Sequence, residues 1–372
     1  MNQPTHYQRL VVKLGTSVTT GGTPHISPRR MLEIIQQIAG LHEHGIEVVI
    51  VTSGAVAAGR DVLGDPDLGK NIPAKQMLAA IGQPRLMNIY SDLFAIYGMY
   101  TAQVLLTRTD LLNRRRYLNA RDTLNTILEQ QVIPIINEND TVATEEIRVG
   151  DNDNLSALVA NLINADLLIL LTDQPGLFTT DPRTNPEAKL IPLIEEINDE
   201  VWGIAGGTAS TLGTGGMRTK IQAAQLATRS GVAVVIAQGS RPNVLIDIVG
   251  EQSAEIGTWF QPISTHVESF KRWLLSERPQ GVVHVDAGAA RSLRKSRSSL
   301  LPVGMTGVEG DFERGMVVSV AGPDGAEVAI GMVHYSAADL AQICGLHSDQ
   351  IAARLGYTYG EEAIRRDYLI VI

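Results

Sequence analysis

The run Gly150-Asp151-Asn152-Asp153-Asn154-Leu155-Ser156 sets four acid or amide side chains before apolar residues at helical spacing, Leu155, Leu158, Val159, Leu162 and Ile163. Such a cluster at a helix start can cap the helix, ligate a metal or grip a small polar substrate. A second cluster, Asn137-Glu138-Asn139-Asp140, directly follows the apolar run Val132-Ile133-Pro134-Ile135-Ile136. Two polar clusters at the ends of apolar elements point to a binding site rather than to two loops.

Three further stretches could handle anions. Gly213-Thr214-Gly215-Gly216-Met217-Arg218-Thr219-Lys220 leads into a helical pattern. Glycines there let backbone N–H groups approach a phosphate, which the helix dipole favours, and Lys220 lies about one turn further on. A flexible surface loop fits the same glycines. Lys13 interrupts the apolar run Leu10-Val11-Val12-Lys13-Leu14. A lysine is costly to bury unpaired, so it reads as a solvated edge residue or as a strand-end cation facing phosphates. Ser53, in Thr52-Ser53-Gly54-Ala55, reads equally as a helix cap and as part of a cradle for a substrate carboxylate.

Several other chemistries fail on spacing. Counted as a calcium loop from Asp151, the run lacks a glycine at the sixth position and has Leu162 at the twelfth, where glutamate is needed. Gly64 to Lys70 has P-loop spacing, but Asn71 stands where a magnesium-binding hydroxyl belongs, and Asp65 and Asp67 repel phosphate. No dinucleotide fingerprint follows any strand. Asn139-Asp140-Thr141 and Asn154-Leu155-Ser156 match glycosylation acceptors, but the N-terminus carries no secretory signal pattern, which points to a cytoplasmic protein. His25, His42 and His44 lie in a loop or on a polar helix, away from any catalytic grouping.

The elements that must position these residues alternate. Strand-like runs at 10–14, 47–52, 102–106, 132–136, 167–172 and 233–236 are separated by helical stretches at 28–43, 74–97, 118–130, 155–164 and 217–230. Continuous apolar strands alternating with helices define an α/β unit with a mostly parallel sheet covered on both faces. Ligands bind at the carboxyl ends of such strands. That rule gathers Lys13 to Ser17, Thr52 to Gly54, Asn137 to Asp140 and Thr172-Asp173 on one rim.

Beyond about residue 257 the pattern changes. Residues 258–280 read as a connector with some helix; 282–285, 316–320 and 328–335 alternate as strands; two helical patches at 336–344 and 348–355 precede a last strand at 368–372. Gly304, Gly307, Gly310, Gly315, Gly322, Gly325 and Gly331 read as turns in a small β-rich domain. A chain of 372 residues exceeds the size at which single cores stop growing. The domains fall at 1–262 and 281–372, with 263–280 between them. The composition, 44% hydrophobic and 19% charged, is that of a globular protein, and no apolar run approaches a membrane span. The single cysteine, Cys344, excludes an internal disulfide. A formal charge of −9 argues against a general nucleic-acid binder. Arg291, Arg294, Lys295 and Arg297 remain as a local basic cluster, either a solvated helix face or an RNA-facing patch.

Taken together and in this order, Leu10 to Ser17, Val51 to Ala55, Ile136 to Asp140, Val149 to Ser156, Leu171 to Gln174 and Leu212 to Lys220 resemble the amino acid kinase family, and within it the glutamate-phosphorylating kinases. The resemblance implies an αβα sandwich followed by a small β-rich domain of the PUA type. It implies phosphoryl transfer from ATP, with magnesium, to the side-chain carboxylate of L-glutamate, the opening step of proline synthesis. It places Lys13, Thr172, Asp173, Thr214, Gly215, Gly216, Met217, Arg218, Thr219 and Lys220 around ATP, and Ser53, Asp140 and Asn152 on the amino acid. Lys13, Lys220 and Asp153 are the catalytic set, Asp153 orienting the lysines; no residue is assigned to a metal. Inhibition by proline and a homo-oligomer are part of the same expectation, whereas RNA binding by the second domain and membrane association are not. Phe178 stands where the resemblance leads us to expect a tyrosine. Rival readings are a kinase for aspartate, acetylglutamate or carbamate, an RNA-modifying protein working through residues 287–372, and a dehydrogenase.

Overall fold

The computed structural model describes residues 7–68, 71–143, 151–206, 216–250, 255–296 and 298–372. The chain divides into two units, one comprising Met1–Leu112 and Ala120–Thr265, the other Asn113–Asn119 and His266–Ile372.

The first unit is organised by a sheet whose central strands are too apolar to face water on either side. Its strands are β1 (Arg9–Leu14), β2 (Glu47–Thr52), β3 (Thr101–Leu106), β4 (Ile133–Glu138), β5 (Leu167–Thr172), β6 (Leu193–Ile194), β7 (Ala233–Gln238) and β8 (Thr258–Phe260). They form one sheet in the order β3-β4-β2-β1-β5-β7-β8-β6. Every pairing from β3 to β7 is parallel, and β8 runs antiparallel to β7. Every residue of β4 and β5 is buried, as a sheet covered on both faces requires. Strand order reverses at β1, so the crevice beyond its carboxyl end is the topological switch point where such sheets bind ligands.

The helices of this unit are α1 (Thr16–Thr20), α2 (Pro28–Glu43), α3 (Ala55–Leu63), α4 (Ile72–Ala95), α5 (Arg108–Leu112), α6 (Arg114–Glu129), α7 (Asp151–Leu162), α8 (Asp199–Ala205), α9 (Met217–Arg229) and α10 (Val244–Val249). The start of α6 belongs to the second unit. Proline at N1 and the Ser27 cap start α2, and its apolar stripe Met31, Ile34, Ile35, Ile38 packs on the sheet. Helices α3 and α4 cross backbone to backbone. A Cβ at Gly82 would run into the Ala55 carbonyl oxygen and the Gly59 nitrogen, and one at Gly59 into the Leu78 carbonyl oxygen.

Two sequence expectations are corrected here. Helix α7 begins at Asp151 rather than 155, so the polar cluster is its first turn and not a loop before it. An aspartate there is favoured by the helix dipole. Residues 258–260, read as connector, are a strand of the main sheet: the Thr258 hydroxyl bonds Ile191 O at 2.6 Å, and Leu177 N donates to it at 2.8 Å. Three residues are too few to show alternation.

The second unit is a five-stranded mixed sheet, β10-β9-β11-β12-β13. Its strands are β9 (Gly281–Val285), β10 (Met305–Gly310), β11 (Val317–Ala321), β12 (Glu327–Met332) and β13 (Leu369–Val371). Helices α11 (His266–Ser276), α12 (Ala287–Ser296), α13 (Ala337–Ile343) and α14 (Ile351–Leu355) accompany it. Its core is Val283, Val318, Val320, Tyr335, Leu340 and Ile364. Gly307 and Gly310, read as turns, lie inside β10. The strand read at 328–335 stops at Met332, and a capping box between Ser336 and Asp339 starts α13. Among the described residues no helix is long and apolar enough to cross a membrane.

The α3–α4 crossing yields a test. Gly82→Ala forces two backbones apart, and we expect a loss of about 1–3 kcal/mol of stability, as for overpacked cores. It should be read as a lower urea midpoint at unchanged slope.

Candidate active site

At the switch point three charged side chains leave water together. Lys13, next to last in β1, is 6% exposed, Lys220 of α9 is 6% exposed, and Asp153 of α7 is 1% exposed. Lys13 Nζ lies 2.7 Å from Asp153 Oδ1 and Lys220 Nζ lies 3.3 Å from Oδ2. The Thr219 hydroxyl donates to the same Oδ2 at 2.7 Å. Burial pushes the Asp153 carboxyl up, but Lys13 and Lys220 outweigh it, helped by hydrogen bonds from Lys13 and Thr219; the group is held well below the usual carboxylate range. Burial lowers the Lys13 ammonium, Asp153 opposes that, and Lys220 adds to it, leaving Lys13 below the ordinary lysine value. Two cations against one anion leave a net positive charge in a desolvated crevice, where it acts strongly on an approaching polyphosphate.

Helix α9 also presents its own N-terminus. Its N-cap, Gly216, has no side chain to cap the first turn, whose N–H groups and dipole are of the kind that favour an anion. Met217 is 8% exposed and packs inward, while Arg218 is exposed with its guanidinium 5.6 Å from the Trp202 ring centroid. Thr172 and Asp173 end β5, the Thr172 hydroxyl donating to Asp173 Oδ1 at 3.0 Å. They open on a cleft of about 160 Å³ that also takes in Ser17, Gly22, Arg30 and Ser240. Thr214 and Gly215 lie outside the described residues.

One residue before Asp153, Asn152 points elsewhere, because successive helix residues diverge by about 100°. Its amide nitrogen donates to Ser53 Oγ at 2.9 Å and to Asn137 Oδ1 at 3.2 Å. Ser53 N donates to Leu14 O at 3.1 Å, which ties the ends of β2 and β1 together. Gly54 follows at φ 117°, the left-handed region, with Thr19 and Ile26 too close for a side chain. Asp140 lies two residues past β4, and partial burial raises its carboxyl.

The structure therefore joins Lys13, Lys220 and Asp153 in one cluster and Ser53 with Asn152 in another. Thr219, expected around ATP, turns its hydroxyl to Asp153. Two residues without an expected role, Asn137 and Gln83, stand behind Asn152, Asn137 Nδ2 donating to Gln83 Oε1 at 2.8 Å. Gln83 carries no local signal: it sits inside α4 between Gly82 and Pro84, and no motif surrounds it. Among the described residues no three His, Cys, Asp or Glu side chains converge on a metal position. Asp153 is taken up by lysines and Thr219. This donor set suits magnesium that arrives on the nucleotide's phosphates, as part of the substrate.

An open parallel sheet with a desolvated lysine pair at its switch point is the machinery of a phosphotransferase, and the chain belongs to the amino acid kinase family, which it matches over residues 8–238. Residues 281–355 match the PUA domain. The chain is 52% identical over 364 residues to glutamate 5-kinase of Deinococcus radiodurans, covering 98% of this chain and 100% of that protein. It is 53% identical over 365 residues to glutamate 5-kinase of Herpetosiphon aurantiacus, covering 98% of each. With that of Sodalis glossinidius the identity is 51% over 364 residues, 98% of this chain and 99% of the relative.

The lowered Lys13 value predicts a pH effect. Lys13 must be charged to meet phosphate, so kcat/KM for ATP, which reports the free enzyme, should fall on the basic side below the ordinary lysine range. A flat profile up to that range would remove Lys13 from nucleotide recognition.

Proposed function

We propose that this chain transfers the γ-phosphoryl group of ATP to the side-chain carboxylate of L-glutamate, giving L-glutamyl 5-phosphate and ADP at the start of proline synthesis. The observation that carries this is the adjacency in α7 of Asn152, bonded to Ser53, and Asp153, paired with Lys13 and Lys220. The names of its relatives support glutamate as the acceptor.

The chemistry needs no general base. A glutamate carboxylate, with a pKa near about 4.3, is already ionised at neutral pH. Its oxygen attacks the γ-phosphorus, the bond from that phosphorus to the β–γ bridging oxygen breaks, and ADP departs with the electron pair. The obstacle is bringing an anion to a polyanion, so catalysis rests on positioning and fixed positive charge. Lys13, Lys220 and the α9 N-terminus supply the charge, with magnesium carried on the nucleotide. On the acceptor side, burial raises the Asp140 carboxyl, and an ammonium partner would act in the opposite direction by favouring its charged form. L-Proline is the inhibitor this reading implies. Self-association is supported by the edge strand β3, flanked by Ile96 and Tyr100 at 63% and 78% exposure.

Purified protein with magnesium-ATP should release ADP only when glutamate is present, and hydroxylamine should trap the acyl phosphate; aspartate, acetylglutamate or carbamate serving better would sink the assignment. Lys220→Ala should lower kcat by roughly 10²–10³, the scale of losing one transition-state donor. Asp140→Ala should chiefly raise KM for glutamate. Movement of the ATP constant alone would show the acceptor side to be wrongly drawn.

A further inference from the structure

Behind the acceptor side runs a chain of three side-chain amides whose direction is determined by a backbone group. Glu138 N can only donate, and it donates to Asn137 at 3.0 Å, so the atom of Asn137 facing it is the oxygen Oδ1. Asn137 Nδ2 therefore faces Gln83, and the Gln83 atom 2.8 Å away must accept, which makes it Oε1. The Asn152 atom 3.2 Å from Asn137 Oδ1 must donate, and its other hydrogen goes to Ser53 Oγ at 2.9 Å. Both hydrogens of the Asn152 amide are thereby used. What is left over is Asn152 Oδ1, which is buried and has no partner among the described residues.

We propose that Gln83 is a positioning residue of the acceptor site: by accepting from Asn137 Nδ2 it holds in place the amide that Glu138 N orients, so that Asn152 offers the substrate a carbonyl oxygen and therefore selects a hydrogen-bond donor. The inference rests on the amino-acid kinase reading above and names the group recognised, the α-ammonium of the acceptor rather than its carboxylate. Gln83 and Asn137 are 8% and 2% exposed, so water does not compete for either amide. At its far end the relay leaves Gln83 Nε2 buried without a partner among the described residues. An unsatisfied buried donor is a cost that an apolar residue on α4 would avoid. The neighbouring Gly82 keeps α4 against the α3 backbone, which holds the helix that carries Gln83 in place.

The test compares Gln83→Met, which keeps length but cannot accept, with Gln83→Glu, which keeps an acceptor facing Asn137. Acceptors are L-glutamate and glutarate, which has the same reacting carboxylate and no ammonium. In Gln83→Met, KM for glutamate should rise about 10-fold with kcat and KM for ATP nearly unchanged, the pattern of lost substrate binding. Preference for glutamate over glutarate should fall with it. Gln83→Glu should restore both. If Gln83→Met does not fold, Gln83→Ala gives the same comparison with water in place of the side chain. Wild-type constants and preference in a folded Gln83→Met or Gln83→Ala protein would overturn the proposal, as would equal use of both acceptors by the wild type. Failure of every amino acid to be phosphorylated would instead overturn the kinase reading itself.

Discussion

Two buried lysines can stand close to one another only because a buried aspartate lies between them. Taking either ammonium alone out of water would be costly, and burial does lower that of Lys13. Asp153, with Lys13 Nζ at 2.7 Å and Lys220 Nζ at 3.3 Å, keeps the cluster charged. The Thr219 hydroxyl at 2.7 Å fills a further lone pair of the same carboxylate. The rest of the first unit serves this arrangement: β1 delivers one lysine, α9 the other, and α7 the aspartate. Removing the aspartate would strand two cations; removing either lysine would leave the pair neutral and of little use to a polyphosphate.

The same helix turn separates two networks. Asn152 and Asp153 are consecutive, yet one belongs to a neutral hydrogen-bond network with Ser53, Asn137 and Gln83, and the other to the charged cluster. That separation is a consequence of helix geometry, and it requires the cluster to be helical from Asp151 onward. Had the four polar residues formed a loop before the helix, no fixed angle would relate the two directions. The directional amides and the charged cluster also differ in what they tolerate. A charge acts over distance and survives small displacements, whereas an amide relay fails when one member reverses.

Much of this was legible in the sequence. The apolar strands were readable because a sheet covered on both faces leaves few polar positions, so Lys13 stood out against Leu10, Val11 and Val12. Glycines before Met217 marked the α9 N-terminus. Three features escaped for physical reasons. The start of α7 was hidden because Asp and Asn favour both caps and first turns. Strand β10 was hidden because Gly307 and Gly310 look like turns; in the sheet Gly307 lies opposite His284 and Gly310 opposite Gly281 of β9, where a Cβ would meet the Glu309 carbonyl oxygen and the Phe312 ring, so the Gly310–Gly281 pair marks close approach instead. Gln83 was hidden because its role is made by tertiary contact with Asn137, fifty-four residues away along the chain.

The absence of any need for a base explains why the site is built this way. An enzyme that must remove a proton needs a group tuned near neutrality. Here the nucleophile arrives ionised, and the barrier is the repulsion between two anions. Fixed cations lower it most when water is excluded, so both lysines are buried and their aspartate with them. Exclusion of water in turn leaves every polar group near the acceptor dependent on protein partners. An Asn152 Oδ1 without a partner among the described residues would, in such surroundings, favour a ligand that brings a donor over an otherwise equal ligand that does not.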